Sequence, residues 1–299
     1  MLRPPYLKTG DRVAIVATAK KLERGQIDGA ISLIESWGFE VVLGKHLYAA
    51  DRQFAGTDTE RATDLQWALD DPDIKAVIFA RGGYGTVRII DRVDWSVFKK
   101  TPKWLCGFSD LTVLHAHANR NLGVETMHST MPIFFADGVA NAGSISLHYA
   151  LLGTHESIEW DAHVLNRSGE SSGESVGGNL SVICSVLGTS SQPEFEGNIL
   201  FIEDLTEYYY HLDRMMMLLK RGGQLAELKG LVVGQFTQMV DNPVPFGKSA
   251  YEIIWEAVSE YNYPVAFDAP IGHVEQNLAV YSGRRCRLTV ENGSQISFD

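Results

Sequence analysis

The chain has 299 residues, 45% of them hydrophobic and 21% charged, with a formal net charge of -11. Such a length and apolar content exceed what one core needs and predict a two-domain globular protein. The acidic balance, without any Lys/Arg cluster interleaved with aromatics, argues against nucleic acid or an anionic membrane surface as partner.

Short apolar runs and helical patterns alternate from the start. Residues 13–19 form an apolar run, with a strand over 13–18, preceded by Arg3, Lys8 and Arg12 and closed by Lys20 and Lys21. Pro4, Pro5 and Asp11 interrupt the approach, so the run reads as a first buried strand of a cytoplasmic protein and not as a secretory signal. A helix over 26–37, a strand over 40–43, a helix over 59–69, a strand over 76–80 and a helix from about residue 86 follow. The next strand is 104–108, with its helix running to about residue 119. Near-continuous apolar strands separated by helices predict a parallel sheet covered on both faces, with ligands beyond the carboxyl ends of its strands.

The pattern loosens between 136 and 178, ending in the Gly/Ser-rich stretch 167–175. That composition suits a connection. The organisation expected is therefore an N-terminal domain over 1–135, a connection over 136–176 and a mixed α/β domain over 177–299. In the last part Asn179 is placed to cap a helix. Strands at 199–202, 231–234 and 265–267, helices at 209–221 and 250–261, and a β-rich piece at 285–298 complete it.

Three candidate groups stand just past the ends of predicted strands. Ser109 follows 104–108 at an abrupt strand-to-helix turn, where a hydroxyl is exposed beside free helix N–H groups. It can equally be a helix cap, with Asp110 complementing the dipole. Glu203 closes 199–202, and His273 follows 265–267 in Asp-Ala-Pro-Ile-Gly-His. A carboxylate there is either a strand cap or a functional group, and a histidine after Pro-Ile-Gly is commonly structural. Together the three supply a nucleophile, a base and an orienting acid.

Arg81-Gly82-Gly83-Tyr84-Gly85 lacks the spacing of a dinucleotide loop and the Lys-Ser/Thr of a P-loop, and its N–H groups suit an oxyanion. Among the nine histidines no HExxH occurs, and His115 and His117, two apart on a helix, diverge. Neither a metal nor a cofactor is expected. The widely spaced Cys106, Cys184 and Cys286 read as thiols of a reducing compartment. Tyr208–Tyr210 and Met215–Met217 read as a helix start and a core face, the tyrosines being also placed to wall a pocket.

In this order the chain carries Arg-Gly-Gly-Tyr-Gly at 81–85, Gly-Phe-Ser-Asp at 107–110, Gly-Gly-Asn-Leu-Ser at 177–181, Leu-Phe-Ile-Glu-Asp-Leu at 200–205 with Asp-Arg-Met at 213–215, and Pro-Ile-Gly-His at 270–273. It thereby resembles the LD-carboxypeptidases, serine peptidases that include the microcin immunity peptidases. The resemblance implies a flavodoxin-like N-terminal domain and a smaller mixed α/β C-terminal domain. It implies Ser109 as nucleophile, His273 as base, Glu203 as its orienting carboxylate, and an oxyanion hole from the N–H groups of Gly83 and Asp110.

The reaction it implies is release of the terminal D-Ala of murein tetrapeptide during cytoplasmic cell-wall recycling, by a homodimer in the family pattern. His-Ser-Thr-Met-Pro at 128–132 departs from the Gly-Pro-Met of many members and leaves the substrate contacts there open. The chain also lacks the long insertion associated with the immunity members, which favours the murein peptide. Two alternatives are a microcin-immunity-like peptidase or amidase acting on aminoacyl-nucleotide conjugates and a non-enzymatic peptide-binding protein.

Overall fold

The structure, a computed structural model, describes residues 1–299. Its first compact unit comprises Met1–His155 with Glu275–Tyr281, and its second Glu156–Val274 with Ser282–Asp299. In the first unit β1 (Arg12–Val16), α1 (Asp28–Ser36), β2 (Glu40–Leu43), α2 (Asp58–Asp70), β3 (Ile74–Phe79), α3 (Ser96–Lys100), β4 (Trp104–Gly107), α4 (Thr112–His117), β5 (Thr126–His128) and α5 (Ala142–Leu152) succeed one another. The pairs β2–β1, β1–β3, β3–β4 and β4–β5 are all parallel.

Reading across the sheet, the order β2-β1-β3-β4-β5 is that of a flavodoxin-like doubly wound sheet, which reverses direction between β1 and β3. Val13, Ile15, Val77, Ile78 and Leu105 are fully buried, as expected for strands covered on both faces. Thr57 begins α2 with a reciprocal capping box: its hydroxyl accepts the Glu60 N–H at 3.2 Å while the Glu60 carboxylate accepts the Thr57 N–H at 2.8 Å.

The second unit holds β6 (Ser157–Asp161), β7 (Gly169–Asn179), α6 (Leu180–Ser185), β8 (Ile199–Leu205), α7 (Tyr209–Arg221), β9 (Gly230–Thr237), α8 (Ala250–Val258) and β10 (Val265–Ala266). After β11 (Val280–Ser282), which joins the edge of the first sheet beside β5, come β12 (Arg285–Val290) and β13 (Gly293–Phe298). The seven-stranded second sheet runs β10-β9-β8-β7-β12-β13-β6. Its β7–β10 part is parallel and its β7-β12-β13-β6 part antiparallel. A core of Leu180, Ile183, Leu212, Met215, Met216, Leu219, Ile253 and Ile254 packs on Leu200, Ile202, Leu231 and Val233.

The Gly/Ser-rich stretch expected to connect two domains is instead strand: from Gly169 it runs as β7 through the middle of the second sheet. The division between units falls at His155/Glu156, and residues 275–281, expected with the C-terminal domain, belong to the first unit. They are held there by several contacts. The Ala279 N–H donates to Ser146 Oγ at 2.8 Å, the Tyr281 hydroxyl to the Ala150 carbonyl at 2.9 Å, and the Tyr281 ring lies 5.6 Å from Trp104. The helix expected from residue 86 is two 3-10 turns, Thr86–Arg88 and Ile90–Arg92, followed by the short α3. No helix is long and apolar enough to cross a membrane.

Candidate active site

At the carboxyl end of β4 the chain turns so sharply that Ser109 adopts φ +64°, a left-handed conformation that costs an L-residue about 1–2 kcal/mol. Phe108, extended at φ -148°, occupies the cap position of the 3-10 turn Ser109–Leu111, and no side chain caps that turn. The capping role open to Ser109 in the sequence is therefore not the one it takes. Its partly exposed side chain lies against the Gly82 backbone: a methyl built on Gly82 would sit 3.2 Å from Ser109 Cβ and 3.4 Å from the terminal methyl of Met131. Glycine is what lets the loop after β3 approach the turn so closely.

That loop is tied to the turn by buried polar groups. Asp110, 4% exposed, accepts the Thr86 N–H at 2.8 Å, and burial raises its carboxyl above the usual range. Fully buried Arg61 of α2 donates from Nη1 to the carbonyls of Thr18 at 2.5 Å and Gly85 at 2.9 Å, and pairs through Nη2 with Asp58. The hydroxyls of Thr18 and Thr86 lie 2.8 Å apart. The ends of β1 and β3 are thus fastened together on either side of the point where the strand order reverses. Beneath the turn, the Gly107 carbonyl accepts from His115 Nε2 at 2.8 Å and from the Ser129 N–H at 3.1 Å. His115 is fully buried, and desolvation lowers its pKa to about 4, so it stays neutral.

In the second unit Glu203 is fully buried near the end of β8, and its Oε2 lies 2.7 Å from His273 Nδ1. An ionised carboxylate there accepts the Nδ1 proton and puts the imidazole lone pair on Nε2. A bulge builds this contact: Ile202 pairs with Val233 but Asp204 with Phe236, so β9 carries one extra residue, two standing opposite Glu203. The Gln235 N–H, released from the ladder, donates to the Ile271 carbonyl at 2.9 Å and fixes the loop bearing His273. Gly272, at φ +118°, passes directly over the carboxylate, and a Cβ there would lie 2.8 Å from Glu203 Cβ.

Strand alternation sends Asp204 to the other side from Glu203, where it accepts from Asn179 Nδ2 and the Ser181 N–H, both at 2.8 Å. Burial and the neighbouring Glu203 raise the Asp204 pKa to about 6. Asn179 also caps α6, accepting the Val182 N–H at 3.2 Å. The Gly-Gly-Asn-Leu-Ser motif therefore anchors the strand that carries Glu203.

The five expected site residues divide between the units: Gly83, Ser109 and Asp110 belong to the first, Glu203 and His273 to the second. Gly83, at φ +125°, faces Lys20, whereas its neighbour Gly82 abuts Ser109. Three supporting residues were not singled out as such in the sequence: Arg61, His115 and Asp204. A signal for Arg61 existed, since Arg61, Leu65, Ala68 and Leu69 all fall on the buried face of α2, and a charge at such a position needs buried partners. Ser129 and Thr130, the departure noted in the sequence, are buried. No group of three or more His, Cys, Asp or Glu side chains is arranged to hold a metal ion.

Comparison with known proteins fits this geometry. Family models described as LD-carboxypeptidase N-terminal domain and LD-carboxypeptidase C-terminal domain match residues 13–129 and 172–288. The chain is similar to a probable murein peptide carboxypeptidase of Bacillus subtilis, 33% identical over 98% of this chain and 93% of the relative. A crystal structure of muramoyltetrapeptide carboxypeptidase from Oxalobacter formigenes superposes with a TM-score of 0.88 at 27% identity, covering 96% of this chain and 98% of that one. The microcin C7 self immunity protein MccF, solved in complex with aspartyl sulfamoyl adenosine, has the same fold, with a TM-score of 0.89 at 20% identity over 100% of this chain and 99% of that one.

Proposed function

The chain belongs to the LD-carboxypeptidase family, and from that premise we propose that it is a serine carboxypeptidase that hydrolyses the L,D peptide bond of murein tetrapeptide and releases the terminal D-Ala. The observation that carries the chemistry is the contact of fully buried Glu203 with His273 Nδ1, which gives the imidazole the tautomer of a general base.

In this reading His273 Nε2 takes the Ser109 hydroxyl proton as Oγ attacks the carbonyl carbon at the L-centre. The tetrahedral oxyanion accepts from the N–H groups of Gly83 and Asp110, donors held still by the Arg61 and Asp110 contacts. Collapse breaks the C–N bond, with the His273 proton passing to the D-Ala amine. Water then attacks the acyl-serine with His273 again as base, freeing the tripeptide and restoring Ser109.

The reading extends to a cytoplasmic homodimer. The thiol state of Cys106, Cys184 and Cys286 supports the reducing compartment.

Mass spectrometry of murein tetrapeptide incubated with the protein tests the activity. Loss of one D-Ala is expected, and Ser109→Ala should slow it by on the order of a thousandfold or more with the thermal midpoint little changed. Near wild-type turnover by that variant would remove Ser109 from the chemistry.

A further inference from the structure

Between the end of β10 at Ala266 and the imidazole of His273 the chain forms neither helix nor strand. A segment without a ladder of its own stays in place only through bonds from its neighbours, and Pro270 has no N–H to offer. The extra residue of the β9 bulge supplies several of these bonds. Besides the backbone N–H that reaches Ile271, Gln235 spends both hydrogens of its side-chain amide on the same loop: Nε2 donates to Asp268 Oδ1 at 2.9 Å and to the Ala269 carbonyl at 3.1 Å. Any residue but proline could make the backbone bond. The other two need an amide at this position.

Asp268 is the second half of the arrangement. Its Oδ1 also accepts from the Tyr251 hydroxyl of α8 at 3.1 Å, and that hydroxyl lies 3.2 Å from the Gly234 carbonyl, so Tyr251 touches both the bulge and the loop. Burial and the Asp268 carboxylate raise the pKa of the Tyr251 hydroxyl, which therefore remains a donor. Asp268 itself holds φ +67°, a left-handed conformation that persists in a non-glycine residue only where the surroundings fix it. The bonds end at Ile271. Only Gly272 separates Ile271 from His273, and a glycine transmits no side-chain packing, so the place of the imidazole follows from where Ile271 is held. We propose that Gln235 is a positioning residue for the general base, holding His273 against Glu203 through a clamp of its side-chain amide, the Asp268 carboxylate and the Tyr251 hydroxyl. The proposal rests on the reading of His273 as that base.

Gln235→Leu keeps the backbone N–H and most of the volume while removing both side-chain bonds. Its kcat on murein tetrapeptide should fall by about tenfold or more with KM within about twofold of the wild type, because small displacements of reacting groups act on the chemical step. The Nδ1 proton resonance of His273, recognised as the one that His273→Gln abolishes, should shift or broaden in the same variant. Asp268→Ala should lower kcat likewise. Asp268→Asn should restore it to within about twofold of the wild type, since the amide oxygen accepts from both donors and asparagine tolerates the left-handed conformation. A Gln235→Leu enzyme with a lower thermal midpoint but wild-type kcat and an unmoved resonance would show a merely structural residue and overturn the clamp. So would an Asp268→Asn enzyme as slow as Asp268→Ala. Should Gln235→Leu not fold, Tyr251→Phe decides: loss of one hydroxyl should lower kcat by about threefold or more, and an unchanged kcat overturns the proposal. If the wild type does not turn the peptide over, or His273→Ala keeps the full rate, the reading of the base fails instead. The resonance alone then decides whether the clamp holds His273, and its constancy in Gln235→Leu overturns it.

Discussion

Ser109 holds a backbone conformation that glycine adopts freely and serine does not, at φ +64°. A residue kept there for its hydroxyl should be replaceable by glycine without loss of stability. We expect Ser109→Gly to abolish turnover while its urea midpoint equals or exceeds the wild type, because relief of about 1–2 kcal/mol of strain offsets the added freedom of the unfolded chain. Destabilisation by more than about 1 kcal/mol would assign the side chain a structural role of the kind a helix cap has. At this scale the sequence was informative where chemistry and punctuation coincide: a polar group directly after an apolar run marked Ser109, Glu203 and His273. The residues that hold those groups in place were harder to read. Nothing local distinguishes buried His115 from any histidine of an apolar helix, since its role depends on the Gly107 carbonyl eight residues earlier and on Thr126 in another strand.

Elements turn these residues into a site chiefly through irregularity. The bulge in β9 turns the Gln235 N–H out of the ladder to hold the loop of His273, and Gly272 lets that loop cross Glu203. Gly272→Ala combines a strained φ of +118° with a Cβ 2.8 Å from that of Glu203, so the carboxylate and imidazole must shift apart. Displacements of about 1 Å cost on the order of a hundredfold in rate. A kcat reduced by about that factor, with circular dichroism unchanged, is the expected outcome. An unaltered kcat would show that the pair tolerates displacement.

Apolar periodicity located β2 and α7 at the bounds the structure gives them, Glu40–Leu43 and Tyr209–Arg221. It missed β7, whose glycines and serines carry no strand propensity and whose place is set by β8 and β12 on its two sides. It also missed α5, a helix whose serine- and glycine-containing face is buried against neighbours remote in sequence.

For the molecule as a whole, two buried groups oppose one another on acidification. His115, with a pKa near 4 in the folded chain against about 6.5 when unfolded, contributes stability that is complete above pH 6.5 and is lost as pH falls toward 4. Asp204, raised to about 6 from the usual value near 4, takes up its proton first in the folded state, so stability is gained over nearly the same interval. Asp204→Asn should remove that gain: between pH 7 and 5 the variant's unfolding free energy should fall relative to the wild type by about 1 kcal/mol. Parallel pH dependences in urea titrations would contradict the assignment.

The return of residues 275–281 to the first unit bears on how the protein comes into being. On the ribosome the flavodoxin-like sheet cannot finish when residue 155 emerges, because its edge strand β11 is not made until Ser282. Trp104 waits as long for Tyr281. By then Glu203 and His273 have both been synthesised. The first sheet is therefore closed at its β5 edge by a strand made after most of the second unit, and the two halves of the chain reach their final form late and close together in synthesis.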